Sequence, residues 1–278
     1  MTSANADQAT YWNAGAGETW AALQDRLDVQ LEPLGLRAMT ALNLAPGERV
    51  LDVGCGAGQT TLQLAEAVGA SGAVLGLDIS RPLLDVARAR SSAVPNASFL
   101  EADAQTHPLA EATFDAIFSR FGVMFFSDPV AAFTNLHRAL KPTGRLAFVC
   151  WRTPPENVFM TLPMATALPH LPPAETPPPQ PGAPGPFAFA DADRVGRILS
   201  DSGFTNIAIA PHDQKIGSGD LEQTLAVALK VGPLGALLRE NPESRDAAID
   251  AVREALRPHQ TPQGVLLDSA TWIVTATA

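Results

Sequence analysis

Cysteine and basic residues are scarce in this chain, and each shortage argues against a class of protein. Only two cysteines, Cys55 and Cys150, occur in 278 residues, without the paired spacing of a disulfide framework or a structural zinc site. Lysine and arginine total 19 against 29 acidic residues, and the formal net charge of −10 disfavours a nucleic-acid partner. We accordingly expect no metal site and no bound DNA or RNA.

Long apolar segments are missing as well. No uninterrupted apolar run is long enough to span a bilayer, and the opening MTSANADQAT lacks the basic and then apolar pattern of a signal peptide. These absences predict a soluble, cytoplasmic protein without a membrane span. The chain does have 46% hydrophobic residues, which is enough for one sizeable core or for a main domain with a smaller subdomain.

Strand and helix signals alternate between residues 48 and 151, a pattern that predicts a parallel sheet with helices on both faces. Most of the strand signals are short, nearly continuous apolar runs, as expected of strands buried on both faces. Between them, Ser80 is a predicted helix N-cap, and a helix that begins at Asp128 should end at the KPTG segment. The predicted strands are 49–53, 73–78, 98–102, 114–119 and 145–151.

The flanking segments have a different character. Residues 1–45 are predicted to be helical, with Trp20, Leu23, Leu27 and Leu31 on one face. Residues 154–186 contain 12 of the 24 prolines, which predicts an extended connection. Further predicted elements are a helix from Asp191 to Gly203, a strand at 206–210, helices within 219–257 and a final strand at 271–275, which makes seven strands. We therefore predict a helical lid (1–45), an α/β core (46–152), a proline-rich connection (153–190) and a last part (191–278) with a helical cap at about 215–262.

A glycine-rich turn follows the first predicted strand, in the segment LDVGCGAGQ. Gly54, Gly56 and Gly58 stand at alternate positions, and such a turn before a helix lets a ligand approach the backbone. By itself this signal is weak, because a tight turn with a satisfied helix start and no ligand is an alternative. The dinucleotide fingerprint requires a small third residue where this chain has Gln59, which argues against a nicotinamide or flavin dinucleotide.

Two acidic residues follow the next two predicted strands. Asp78 ends the second strand, where a carboxylate can accept hydrogen bonds from both hydroxyls of a ribose, although a lone aspartate there could equally be a loop or capping residue. Asp103, in EADAQ, follows the third strand, where a carboxylate can accept from the amine of adenine. The carboxyl ends of parallel strands share one edge of the sheet, so the turn and both acids predict a single nucleoside site.

With these motifs, residues 46–152 resemble a class I S-adenosylmethionine (SAM)-dependent methyltransferase. They are most similar to the small-molecule branch that includes the ubiquinone and menaquinone C-methyltransferases. The matching segments are VLDVGCGAGQTT, LGLDIS, FLEADAQTHPLAEATFDAIFSRFGVMFF and LHRALKPTGRLAFVCW, and the flanking YWNAGAGETW and TWIVTA are also similar. The resemblance implies a Rossmann-like, seven-stranded, mostly parallel sheet and SAM as the cofactor.

The resemblance also implies roles for individual residues. The turn would cradle the methionine portion of SAM, with Asp52 favouring its ammonium group through water and the carbonyl of Ser119 nearby. Asp78 would hold the ribose and Ile79 would pack beside the adenine. Asp103 and the N–H of Ala104 would read the adenine edge. The implied cofactor-binding set is Asp52, Gly54, Cys55, Gly56, Gly58, Asp78, Ile79, Asp103, Ala104 and Ser119.

Methyl transfer from a sulfonium is a direct displacement, so alignment of the reactants matters most and no catalytic side chain is predicted. Residues around the expected acceptor position are candidates for the substrate site, although a structural role is about as good an account of the aromatic residues and Met124 and a better account of His170. They are Tyr11, Trp12, Trp20, Phe121, Met124 and His170.

The sequence thus predicts a SAM-dependent methyltransferase that acts at O, N or C of a small, largely apolar metabolite, aromatic or quinone-like in kind. S-adenosylhomocysteine (SAH) would be the coproduct, and the protein would be a monomer or a homodimer. Two alternatives remain at this point: a nicotinamide-dependent oxidoreductase, and a SAM-binding protein without transfer activity.

Overall fold

A computed structural model describes residues 5–172 and 182–278. Nine strands occur among these residues: β1 (Arg49–Val53), β2 (Ala73–Asp78), β3 (Ala97–Glu101), β4 (Phe114–Arg120), β5 (Leu140–Trp151), β6 (Thr205–Ile216), β7 (Gln260–Thr261), β8 (Gly264–Val265) and β9 (Leu267–Thr277). Seven of them form one sheet in the order β3-β2-β1-β4-β5-β9-β6, and β7 pairs with β8. Within the large sheet only β9 runs antiparallel to its neighbours. The predicted seven-stranded, mostly parallel sheet is confirmed.

Helices surround the sheet. They are α1 (Ala6–Asn13), α2 (Gly15–Ala22), α3 (Gln24–Leu42), α4 (Gln59–Val68), α5 (Arg81–Arg90), α6 (Pro129–Ala139), α7 (Val158–Ala167), α8 (Ala192–Asp201), α9 (Leu221–Ala228), α10 (Pro233–Glu240) and α11 (Arg245–Leu256). The strand order reverses between β1 and β4, because β2 and β3 lie on one side of β1 while β4 and β5 lie on the other. In open α/β sheets this switch point is where ligands bind, at the carboxyl ends of the strands.

The apolar side chains fall into two clusters. The larger cluster covers both faces of the central strands, and Phe118 of β4 and Phe148 of β5 are fully buried in it. Burial of one such side chain stabilises the fold by about 1.5–3 kcal/mol. The smaller cluster joins α7 to α9, α10 and α11, with Val252 and Leu256 fully buried. These four helices, named here the C-terminal helical unit, therefore share a second apolar cluster, which also includes Val265 of β8 and Leu267 of β9.

The N-terminal segment differs from its prediction. The chain leaves the helical path at Ala14 and again at Leu23, which caps α2 and precedes α3, so Trp20 does not share one continuous helix face with Leu27. Gly17 allows this arrangement because the carbonyl of Trp12 occupies the place that a side chain there would need. The close packing of α1 on α2 thus outweighs the local preference for a single long helix.

The prediction of an extended connection at 154–186 is wrong for its first part. The helix α7 lies within it and contains Pro163. Proline removes one hydrogen bond from a helix interior, but α7 packs on α11 and β9, and that apolar burial outweighs the loss. Pro154 lies before α7, in a single 3-10 turn (Pro154–Glu156), where its missing N–H costs little. Residues 173–181 of the predicted connection lie outside the described residues.

Other predicted elements are present, with shifted ends. The predicted strands 206–210 and 271–275 are the middles of β6 and β9, and β5 begins at Leu140 because that residue pairs with Phe114. Asp191 caps α8 through its side chain as predicted. Ser80 does precede α5, but its hydroxyl donates to the carbonyl of Trp12 at 2.7 Å and does not cap the helix.

Candidate functional site

The glycine turn joins β1 to α4 at the switch point of the sheet. Gly54, Gly56 and Gly58 have positive φ angles of 69°, 52° and 83°, which favour glycine. A Cβ on Gly54 would lie 2.6 Å from the Cα of Gly122, so internal packing alone requires glycine there. A Cβ on Gly56 would have only a side-chain carbon of Leu83, 3.9 Å away, within 4 Å. The backbone at Gly56 therefore has open space beside it.

Gly58 has a different task from Gly56. A Cβ on this residue would lie 2.9 Å from the Cβ of Ala87 in α5 and 3.0 Å from the ring of Phe99 in β3. Gly58 therefore provides the close packing that the third small residue of a dinucleotide fingerprint provides elsewhere. Gln59, the next residue, is the first residue of α4.

Asp52, at the end of β1, lies directly below the turn. Its carboxyl is fully buried, and Oδ2 accepts hydrogen bonds of 2.7 Å from the hydroxyls of both Thr60 and Thr61. Burial raises the pKa of Asp52 to about 6, although the two threonine hydrogen bonds and the charge of Arg120 act in the opposite direction. Oδ1 accepts no hydrogen bond from the described residues. A buried acceptor without a donor is unusual and indicates a place for a further polar group.

Asp78 is joined to the turn by hydrogen bonds. Its Oδ2 accepts from the N–H of Gly56 at 2.8 Å, and its Oδ1 accepts from the N–H of Ser80 at 2.8 Å. Burial raises the pKa of Asp78, and these hydrogen bonds oppose the shift. Each carboxylate oxygen has two acceptor positions, so both can still accept one hydroxyl.

Asp103 lies on the loop after β3, next to the end of β2. The N–H of Ala102 donates to the carbonyl of Asp78 at 3.0 Å and holds this loop against β2. The Oδ1 atom of Asp103 accepts from the N–H of Gln105 at 2.9 Å. Ala104 is buried, and none of the hydrogen bonds among the described residues uses its N–H. The structure thus brings the turn and both predicted carboxylates together.

The remaining implied cofactor residues lie around this group. Cys55 is buried, and burial raises the pKa of its thiol well above the ordinary value, so the thiol stays protonated. Ser119 joins the ends of β1 and β4, because its hydroxyl donates to the carbonyl of Val53 at 2.7 Å and accepts from the N–H of Gly122 at 3.2 Å. Ile79 is half-buried at the edge of the site.

A buried charge cluster beside the turn was not predicted. The guanidinium of Arg120 donates to the side-chain oxygen of Gln59 at 2.5 Å and lies 3.5 Å from a carboxylate oxygen of Asp28 in α3. Arg90 forms an ion pair with the same carboxylate at 2.8 Å. Burial lowers the pKa of Arg120, while the charge of Asp28 opposes the shift. The only signal in the sequence was Asp28 itself, an acid next to Leu27 on the predicted apolar face.

Two asparagines of the N-terminal segment were also missed. Asn5 donates from Nδ2 to Oδ1 of Asp103 at 2.9 Å. Asn13 donates to the carbonyl of Ile79 at 2.7 Å and accepts from the N–H of Arg81 at 2.9 Å. Both residues tie the N-terminal helices to the loops that carry the two predicted carboxylates. Because the partners are distant in sequence, no local sequence pattern predicts these contacts.

Three of the predicted substrate residues lie together. Trp12 makes edge-to-face contacts with Tyr11, Trp20 and Phe125, at ring distances of 5.3, 5.6 and 5.5 Å. Phe125 lies in the loop after β4, so this group places the N-terminal helices against that loop. Tyr11 remains 49% exposed.

The other predicted substrate residues are placed differently. Phe121, with a positive φ of 63°, stacks on Trp151 with a ring distance of 3.9 Å and an interplanar angle of 8°. Trp151 in turn contacts Phe159 of α7 at 4.9 Å. Met124 is only 1% exposed and belongs to the main core. His170 is exposed in the 3-10 turn after α7, and no described contact joins it to the glycine turn.

Two further properties of residues 5–172 and 182–278 bear on function. No three His, Cys, Asp or Glu residues in these ranges come together as a possible metal site. No single helix there has the length and apolar character needed to cross a membrane, and α9 and α10 reach that composition only as a pair bent by 79°.

Comparison with known proteins agrees with this geometry. Residues 51–148 match the family described as Methyltransferase domain. Demethylmenaquinone methyltransferase of Staphylococcus epidermidis is 36% identical over 115 residues, which cover 41% of this chain and 47% of that protein. Aklanonic acid methyltransferase DauC of Streptomyces sp. is 36% identical over 156 residues, covering 55% of this chain and 66% of that protein. The chain thus spans about half to two thirds of the length of these relatives.

The fold agrees with that of a solved SAM-dependent methyltransferase from Aquifex aeolicus. The two structures have a TM-score of 0.51 and 17% sequence identity, and the match covers 98% of each chain. The strand order, the glycine turn at the switch point and the sequence matches are mutually consistent. The α/β core of this chain is therefore a class I SAM-dependent methyltransferase domain.

Proposed function

We propose that this protein transfers the methyl group of SAM to an oxygen, nitrogen or carbon atom of a small, largely apolar metabolite and releases SAH. One observation carries the proposal: two carboxylates, Asp78 and Asp103, lie at the ends of neighbouring strands. The carboxylate of Asp78 also accepts a hydrogen bond of 2.8 Å from the N–H of Gly56 in the glycine turn. A ribose and an adenine amine require acceptors in this arrangement.

The residues of the turn fit the methionine end of SAM. The open space beside Gly56 leaves room for a ligand against the backbone, and the unpaired Oδ1 of Asp52 is an acceptor suited to an ammonium group or to a water that bridges to it. Gly54 and Gly58 would support the conformation of the turn without contacting the ligand through a side chain, because neighbouring residues leave no room for a Cβ at either position. Cys55 and Ser119 would contribute through the backbone.

The residues after β2 and β3 fit the adenosine end. Asp78 would accept the two ribose hydroxyls with the acceptor positions that its backbone hydrogen bonds leave free. Asp103 would accept the adenine amine, the N–H of Ala104 would donate to the ring, and Ile79 would pack beside it. This assignment uses no side chain that the structure places elsewhere.

SAM supplies an electrophilic methyl group on a sulfonium, which a nucleophile takes by direct displacement. The chain has to bind both reactants, align them and exclude water, and such alignment can lower a barrier by about 7–11 kcal/mol. We assign the exclusion of water to the helical lid (1–45) and to the C-terminal helical unit, which flank the core (46–152). No side chain is assigned as a general base.

The acceptor would approach from the side of β4 and β5. Phe121 and Trp151 stack there within the main core, and a flat aromatic stack next to the site would suit an aromatic or quinone-like acceptor. We assign Trp12, Trp20 and the exposed Tyr11 to the lid side of the same space. The names of the two relatives, which act on demethylmenaquinone and aklanonic acid, support a small organic acceptor of this kind.

Calorimetric titration with SAM, SAH and NADPH tests the cofactor assignment. We expect saturable binding of SAM and SAH, and loss of that binding in Asp78→Ala. Asp85→Ala is the matched control, because Asp85 is an exposed acid on α5, and this variant should bind as the wild type does. Binding of NADPH with no binding of SAH would favour the oxidoreductase alternative and contradict the proposal.

Transfer itself requires a second experiment. SAM carrying a labelled methyl group should pass the label to at least one member of a panel of phenols, hydroquinones and naphthoquinols, with one SAH released per methyl group. If SAM binds but no acceptor in the panel is labelled, the alternative of a SAM-binding protein without transfer is favoured.

A further inference from the structure

Asn5 stands immediately before α1, at the N-cap position of that helix. An asparagine there usually accepts a hydrogen bond from the first turn of its own helix. The side chain of Asn5 makes no such bond, although it is only 6% exposed. The side chain is directed instead into the loops at the carboxyl ends of β3 and β4.

Every polar atom of this side chain has a partner in those loops. Nδ2 donates to Oδ1 of Asp103 at 2.9 Å and to the side-chain oxygen of Gln105 at 3.2 Å. Oδ1 accepts from the N–H of Ser127 at 2.9 Å. The oxygen of Gln105 also accepts from the N–H of Asp128 at 3.1 Å. Asn5 therefore ties the loop after β3 to the loop after β4.

The consequence for Asp103 is an unequal use of its two oxygens. Oδ1 accepts two N–H groups at 2.9 Å, one from Asn5 and one from the backbone of Gln105, which fills both of its acceptor positions. Among residues 5–172 and 182–278, Oδ2 accepts only from the hydroxyl of Thr106, at the longer distance of 3.2 Å. A carboxylate held in this way by one oxygen has its other oxygen in a fixed direction with acceptor capacity to spare.

We propose that Asn5 is a positioning residue, which fixes the carboxylate of Asp103 so that Oδ2 accepts the exocyclic amine of the adenine of SAM. This assignment rests on the proposed function, because it assumes that Asp103 reads adenine. It also gives the contact of the N-terminal segment with this loop a role in recognition of the base, because one side chain joins the segment to Asp103.

Asn13 provides a matched comparison. It also ties the N-terminal helices to the edge of the site, with two hydrogen bonds, but its partners outside α1 are the backbone of Ile79 and Arg81 and include no carboxylate. Loss of Asn13 should loosen the same helices without changing the carboxylate of Asp103.

The test measures binding of SAH and of its inosine counterpart, S-inosylhomocysteine, in which a carbonyl oxygen replaces the amine. The wild type should prefer SAH. Asn5→Ala should lower the affinity for SAH by about tenfold and leave the affinity for the inosine compound almost unchanged. The preference for SAH over the inosine compound should therefore become smaller. Asn13→Ala should lower the affinities for both ligands by the same factor, so that the preference for SAH is unchanged. Asn5→Leu, which keeps nearly the same volume but has no donor, should narrow the preference for SAH as Asn5→Ala does.

The opposite outcomes are equally clear. If Asn5→Ala weakens both ligands alike or changes neither, or if the wild type does not distinguish them, Asn5 does not position a base-reading group. If the wild type binds neither ligand, the proposed function itself fails and this assignment fails with it. Thermal unfolding of each variant, with Asn5→Leu as the substitute if Asn5→Ala does not fold, keeps loss of structure apart from loss of recognition.

Discussion

Gly54 and Gly122 lie against each other across the ends of β1 and β4, so closely that a Cβ on Gly54 would be 2.6 Å from the Cα of Gly122. The reverse is also true, since a Cβ on Gly122 would be 2.8 Å from the Cα of Gly54. The glycine turn is therefore a packing device as well as a candidate ligand site. The two roles can be separated experimentally.

Alanine substitutions in the turn should have different effects. Gly54→Ala combines a positive φ with a backbone clash and should lower the free energy of unfolding by about 3 kcal/mol. Gly56→Ala has a positive φ but open space, so its cost should be about 1 kcal/mol, while its methyl group blocks the approach of SAH. Urea denaturation and calorimetry measure both quantities. Equal losses of stability in the two variants would contradict the packing role of Gly54.

Cofactor affinity should depend on pH through Asp52. Its pKa is raised to about 6 in the free protein, and a bound ammonium group favours the ionised carboxyl and lowers that pKa. The affinity for SAH should therefore be constant well above pH 6 and fall as the pH drops through 6, by at most about tenfold per pH unit. Asp52→Asn should remove this part of the dependence. Any pH dependence of the affinity that remains in Asp52→Asn is attributed to Asp78, whose pKa is also raised. A profile unchanged by Asp52→Asn would exclude Asp52 as the titrating group.

The pair Asp28 and Arg120 should hold α3 on the core. Arg120→Met leaves a buried carboxylate with one ion-pair partner, and we expect a loss of about 3 kcal/mol in the free energy of unfolding. The double variant, Arg120→Met with Asp28→Asn, should lose less free energy of unfolding than the sum of the losses in the two single variants. Glu222→Gln removes an exposed partner of Arg253 and should cause no measurable change. Additive losses in the double variant would show that the two residues act independently.

The C-terminal helical unit should open separately from most of the sheet, because its apolar cluster is distinct from the main one and meets the sheet at β9. Leu256→Ala removes a fully buried side chain from this cluster and should cost about 3 kcal/mol. Hydrogen exchange should accelerate in α7, α9, α10 and α11, while SAH affinity is unchanged. Leu136→Ala, in the main core, is the control and should accelerate exchange across the sheet. Uniform acceleration in Leu256→Ala would mean that the two clusters unfold together.

Much of the fold could be predicted from local patterns. The runs that became β1, β2 and β4 are apolar because both faces of the sheet are covered, and the positions of Asp191 and Gly203 mark the ends of α8. The prediction failed at Leu23 and in α7, where contacts distant in sequence outweigh local preference. Pro163 indicates a break by itself, and only the packing of α7 on α11 makes a helix there.

The same division holds for the site. The glycine turn and the two acids could be identified from the sequence, because the carboxyl ends of parallel strands must meet at one edge of the sheet. The folded structure was needed to show that Gly54 is required for packing while Gly56 faces open space. It was also needed to show that Asn5 holds one oxygen of Asp103 from 98 residues away. Strands and turns follow from short-range patterning, whereas a hydrogen bond between remote segments depends on how the whole chain folds.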